Sequence, residues 1–217
     1  ETVYSDRDST GLRIIVRFSE TADGTPPATD LRDYLTVSPE VKNLSIAPRY
    51  GAWYDAVEIK GDFKPLEKIT VTLKKGFSIN GENTLEKGVS RTVLMPNYQA
   101  KLKFSEEGKY LTPVRGTTVG IEAVNVKEVR YSLLRLYENN ITVSMVSDNY
   151  TQFGVPEHLS QLVSSGEVKL TAALNEKTRG AFDIASLSGT KRGVFLLTLN
   201  GVPTPEVGNR EWELWNI

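Results

Sequence analysis

The sequence predicts an all-β protein built as two tandem antiparallel β-sandwiches, with one short helix in the second. Three observations carry this. Short runs alternate apolar and polar residues with period two, clusters of Gly, Pro, Asn and Asp separate the runs, and helical periodicity is nearly absent from the 217 residues. The length suits two domains of common size. Pro96, Asn97 and Tyr98 separate the end of one alternating series from the start of another, so the domains are placed at 1–97 and 98–217.

In the first domain, "LRIIVRFSE" sets Ile14, Val16 and Phe18 on one face, with Leu12 leading in. The loop "TADGTPPATD" follows, marked by its Gly, Pro and Asp content. Next, "LRDYLTVSP" reads as one turn of helix, capped by Thr29 or Asp30, that runs into Leu35 and Val37. Strands resume at "VKNLSIAP", "DAVEIKGDF" and "KITVTLKKGF". In the last of these, Ile69, Val71 and Leu73 alternate with Lys68, Thr70, Thr72 and Lys74, as on a sheet with one wet face. "SINGENTLEKG" is a turn-rich connection, and "VSRTVLMP" closes the domain as a strand.

The second domain opens with "AKLKFSEEGKYLTP" and then a hairpin-like pair. Val119, Ile121 and Ala123 alternate before a turn at Asn125, Val126 and Lys127, and Val129, Tyr131, Leu133 and Arg135 alternate after it. The helix is expected in "VPEHLSQLVSSGEV": Pro156 suits its first position, Leu159, Leu162 and Val163 share a face, and Gly166 ends it. Strands return at "EVKLTAAL", "GAFDIAS" and "GVFLLTLNG", the last apolar on both faces and therefore expected at the centre of a sheet.

Composition excludes several kinds of chemistry. A net charge of -1 gives no excess of cations for a phosphate backbone, so nucleic acid is not an expected partner. With 39% hydrophobic and 24% charged residues, the chain can bury a core, which argues against disorder. The absence of cysteine removes disulfides, thiolate metal sites and cysteine nucleophiles. His158 is the one histidine, too few for a multi-histidine metal site, and it reads as a solvated surface residue. The pairs Glu106 with Glu107 and Glu82 with Glu86 fall in turn-like segments, where nothing gives two carboxylates the different environments that glycosidic chemistry needs. The strand-end glycines form no phosphate-binding loop.

These readings predict a non-catalytic chain, with no metal and no cofactor. Trp53 and Tyr54, beside Tyr50 and Gly51, form a candidate contact surface for a sugar ring or a partner, against the alternative of core packing. Arg115 and Arg135 read equally as bridging cations or as ordinary surface charge. Asn43 and Asn149 stand in acceptor sequons, which count only in a eukaryotic secretory setting. The opening "ETVYSDRDS" has no initiator Met, basic segment or apolar core, so neither a signal peptide nor a membrane anchor is read there, and no membrane contact is expected. The ending "REWELWNI" stops mid-pattern, and a fragment of a longer protein is expected.

From Ala100 to about Asn200 the chain resembles the N-terminal macroglobulin-like domains of bacterial alpha-2-macroglobulins. The resemblance lies in the arginine-glycine before the first strand of "KYLTPVRGTTVGIEAVNVKEVRYSLLRLYENNI", in its "EAVNVKEV" crossover and "LRLYENN" ending, and in "RGAFDIASLSGTKRGVFLLTLNG". The first domain, through "VRFSE", "LRDYLTVSP", "IKGDFKPLEKITVTLKKGF" and "NGENTL", resembles the bacterial immunoglobulin-like modules that often precede such domains. The resemblance implies a piece of a bait-and-trap protease inhibitor of the bacterial envelope, periplasmic or at the cell surface and often lipid-anchored. This stretch would act as scaffold. Its partners would be neighbouring macroglobulin-like domains and, through the full parent, proteases. The family's thioester pairs a cysteine with a glutamine far downstream; no such residue is carried over here, and no bait region is recognised. The alternative is a carbohydrate-binding or adhesive module of a bacterial surface protein, resting on Trp53 and Tyr54.

Overall fold

The computed structural model describes residues 2–8, 11–17, 31–50, 55–77, 84–106, 116–140 and 159–207. The chain divides into two compact units, Glu1–Gln99 and Ala100–Ile217. It is nearly all β, and every strand pair among the described residues is antiparallel.

The first unit contains β1 (Thr2–Asp8), β2 (Gly11–Arg17), α1 (Leu31–Tyr34), β3 (Leu35–Ser38), β4 (Ser45–Tyr50), β5 (Asp55–Lys60), β6 (Lys68–Leu73) and β7 (Val89–Leu94). Its two sheets have the orders β1-β2-β5-β4 and β3-β6-β7. Leu12, Ile14, Val16, Val57 and Ile59 of the first sheet share one buried cluster with Leu35, Ile69, Val71 and Leu73 of the second. Two faces that contribute to a single core are packed against each other, which is the sandwich arrangement. Phe63, Phe77 and Met95 complete the cluster from the connections.

The alternation of β6 is realised as expected, with Ile69, Val71 and Leu73 buried. On its wet face Thr70 bonds Thr92 at 2.9 Å and Thr72 bonds Ser90 at 2.7 Å, joining β6 to β7 through polar cross-strand pairs. The first strand, Thr2–Asp8, was not read from the sequence. Its "TVYSDRD" carries three charges and little apolar alternation; its place is set by pairing along β2 rather than by its own pattern.

The second unit contains β8 (Lys101–Phe104), β9 (Thr118–Val124), β10 (Val126–Leu136), β11 (Ser160–Lys169), β12 (Lys177–Asp183), α2 (Ile184–Ser188) and β13 (Phe195–Pro203). The sheets are β12-β9-β8 and β11-β10-β13. Leu102, Ile121, Ala123 and Phe182 from one sheet meet Val129, Leu133, Leu197 and Leu199 from the other in a second core.

Four sequence expectations are corrected here. The helix expected around Leu159 to Gly166 is the strand β11 from Ser160 onward. The register slips between Leu133 and Leu134, which pair with Ser164 and Leu162, so Val163 is an extra, bulged residue. That bulge breaks the period of two and spaces the apolar residues as a helix would. The second domain's short helix is α2 instead, capped by Asp183 and ended by Gly189 in the left-handed region at φ 69°. Gly166 does not terminate a helix; it leaves room for the Tyr131 ring, whose Cε1 and Oη would lie 3.1 Å from an added Cβ.

The segment β9 to β10 is not a hairpin, because the two strands pair in different sheets. The turn between them is the single residue Asn125. The "LTAAL" end of "EVKLTAAL" is a connection rather than strand, although Leu170 still packs on the core. Finally, β10 is central in its sheet and β13 lies at the edge of the three described strands. The apolar outer face of β13 lies across from Leu134 rather than between two strands.

Candidate functional site

The sequence-predicted candidates fall largely outside the described residues: Trp53, Tyr54, Glu82, Glu107, Arg115, Asn149 and His158 all do. Arg135 is half-buried on β10, between Gln161 and Phe195. Glu86 and Glu106 are exposed. Asn43 is exposed in a left-handed turn and donates from Nδ2 to Asp62 Oδ2 at 2.8 Å. Among the described residues no three of His, Cys, Asp and Glu gather as a metal site.

What the structure brings together instead are polar constellations on strand surfaces and at one sandwich corner. The corner is Asn125. Its chain passes from one sheet to the other in one residue, which forces a left-handed backbone, φ 56°, that asparagine tolerates better than most side chains. The side chain is buried, and it is satisfied. Nδ2 donates to Asn175 Oδ1 at 3.0 Å, and Oδ1 accepts the backbone N–H of Asn175 at 2.6 Å. Asn175, itself at φ 66°, sits in the connection from β11 to β12. The Asn125 carbonyl accepts from Thr204 N at 2.9 Å, just past β13. One residue therefore ties three chain segments at the point where the two sheets are joined.

On the outer face of β12-β9-β8, Glu122 of the central strand is reached by Lys103 from β8 at 3.3 Å, and by Lys177 at 3.2 Å and Arg179 at 3.3 Å from β12. Its side chain is 12% exposed although its three partners are more than half exposed. The bond from Lys177, then that from Lys103, hold the Glu122 carboxyl below the usual carboxylate range, against the opposing effect of partial desolvation. In the first unit a comparable row crosses β1, β2 and β5: Arg13 meets Asp6 at 2.7 Å and Glu58 at 3.0 Å, and Lys60 meets Glu58 at 3.0 Å. At the start of α2, Asp183 accepts from Ser186 Oγ and Thr117 Oγ1, both at 2.6 Å, and these bonds lower its carboxyl pKa.

Chemically these groups are matched pairs, with donors and acceptors used against one another. Such an arrangement pins strands in register. Sequence reading missed all of them. Each member shows only as one polar residue on the outward phase of a strand, and nothing local says which strand lies beside it.

No family model matches the chain, and no curated protein matches it. Among solved structures it is similar to a crystal structure of a Salmonella alpha-2-macroglobulin mutant, with a TM-score of 0.60 and 17% identity over 92% of this chain. It is also similar to Salmonella alpha-2-macroglobulin reacted with methylamine, with a TM-score of 0.61 and the same identity and coverage. This chain spans 12% of the length of each of those proteins. At that identity the likeness establishes a shared fold.

Proposed function

We propose that this chain is a scaffold segment of a bacterial alpha-2-macroglobulin-like protease inhibitor, non-catalytic in itself. The observation that carries the reading is the fold likeness to Salmonella alpha-2-macroglobulin over 92% of the chain, at TM-scores of 0.60 and 0.61. The matched ion pairs and the buried Asn125 clamp support it physically, since a module that transmits a large rearrangement must itself keep its shape. The parent would lie in the bacterial envelope, periplasmic or at the cell surface. Its protease contacts would be made by segments other than this one, whose own partners would be neighbouring modules.

The test compares the full parent chain with this segment. Mixed with an endopeptidase, the parent should be cleaved, retain the protease in a larger species and block hydrolysis of protein substrates more than of small peptides. The isolated segment should do none of this. Stoichiometric inhibition by the segment alone, or a parent with no effect on any protease tried, would overturn the reading.

A further inference from the structure

The Glu122 cluster ties three strands together, yet its charges do not balance. Side chains on the outward phase of β8, β9 and β12 lie in cross-strand rows of three. Lys103, Glu122 and Arg179 form one row, and Lys101, Val124 and Lys177 form the next. All four cations are exposed, Arg179 to 77%. Glu122 Oε2 takes both Lys103 and Lys177, Oε1 takes Arg179, and Lys101 has no part in these bridges. An ammonium offers three donors and a guanidinium five, so one carboxylate leaves most of the donors on this face unused.

Strand geometry fixes the spacing of the charges. Lys103 and Arg179 flank Glu122 at two strand spacings, about 10 Å apart at the backbone, as Lys101 and Lys177 flank Val124. Along the strands, Lys101 is followed by Lys103, and Lys177 by Arg179, at about 7 Å. The row beyond Glu122 is small: Ser105, Gly120 and Ala181. Other carboxylates do not cancel the excess. Glu176, exposed beside Lys177, adds one negative charge at that end. Glu106 and Asp183 stand at the far end of the sheet, about a Debye length or more from Lys103 and Arg179, and Asp183 is already held by Ser186 and Thr117.

We propose that this face docks an extended acidic segment of another polypeptide, its carboxylates at alternate positions set against the cations that flank Glu122 and Val124. Alternate side chains of an extended segment recur at about 7 Å, the spacing of the cations along each strand. A long polyanion fits less well. The cations do not continue past the small row, the whole chain carries a net charge of -1, and no aromatic stands in these rows to stack a base. Nor does a membrane surface fit, because half-buried Val124 and Ala181 are the apolar side chains present, too little to enter a bilayer. The inference stands on charge placement and does not depend on the parent being a protease trap.

The test uses the intact chain, labelled with 15N, and a synthetic peptide of alternating glutamate and serine, with a glutamine-serine peptide as control. At low salt the glutamate peptide alone should bind, with amide shifts confined to β8, β9 and β12, and added salt should weaken it. K101Q and R179Q, checked for folding by circular dichroism, should each weaken binding about threefold or more. Lys101 lies outside the Glu122 bridges, so its replacement leaves them intact. E122Q removes the competing carboxylate and should tighten binding about threefold, the opposite of what a purely structural cluster predicts. K68Q, at an exposed lysine of the other unit, should change nothing. Equal binding of the glutamine peptide, indifference to K101Q and R179Q, no binding at low salt, or tighter binding to oligothymidine or phosphatidylglycerol vesicles than to the peptide would each overturn the proposal.

Discussion

Replacing Asn125 by alanine removes both side-chain bonds to Asn175 and leaves a left-handed residue without the side chain that eases it. At about 1 kcal/mol for each bond and about 1 kcal/mol for the backbone, N125A should cost about 3 kcal/mol. N175A removes one of those bonds, because its backbone N–H still reaches Asn125, and it has its own left-handed penalty at φ 66°. It should cost about 2 kcal/mol. The double substitution loses the shared bond only once, so it should cost about 1 kcal/mol less than the two singles together. Urea unfolding followed by far-ultraviolet circular dichroism, fitted for the transition of residues 100–217, measures all three. Additivity to within about 0.3 kcal/mol would show that the clamp contributes no coupling, and an N125A cost under about 1 kcal/mol would refute both terms of the estimate.

Leu133 is fully buried on the central strand and Leu162 is mostly exposed on its neighbour; L133A should therefore cost about 2–5 kcal/mol and L162A within about 0.5 kcal/mol, as read by the same unfolding assay. G166V would place its Cβ 3.1 Å from the Tyr131 ring and should destabilise by about 1–3 kcal/mol through overpacking. A helix ending at Gly166 would offer no such ring, so a neutral G166V would argue against the strand. The Glu122 carboxyl is held below its ordinary range, so its contribution to stability is complete above the unfolded carboxylate pKa of about 4.3 and is lost as pH falls through the lower folded value. E122Q should flatten that acid limb in unfolding measured as a function of pH. Because its partners face solvent, added salt should shrink the difference between wild type and variant. An acid limb unchanged by E122Q would mean the carboxyl titrates alike in both states.

The inward faces of the strands were legible from the sequence because alternation is a local property. Ile69, Val71 and Leu73 of β6, like Ile121 and Ala123 of β9, are buried as their spacing demands. Where a strand was bulged the same reasoning failed: Leu159, Leu162 and Val163 carry helical spacing, and only pairing with β10 shows that Val163 is an inserted residue. The candidate polar sites were less legible still. Lys103, Glu122 and Arg179 are far apart in the chain, and each alone is an ordinary outward residue.

By itself, then, the sequence determined that this chain makes short antiparallel strands in two bodies without cysteine or histidine-cluster chemistry, since composition and period are written residue by residue. The tertiary structure alone decided which strand lies beside which. It split β9 and β10 between two sheets at Asn125 and, among the described strands, gave β10 rather than β13 the centre with β11 paired to β10 alone. Strand pairing is set by contacts between residues distant in the chain, whose free energy depends on the neighbour as much as on the residue, and no local pattern carries that information.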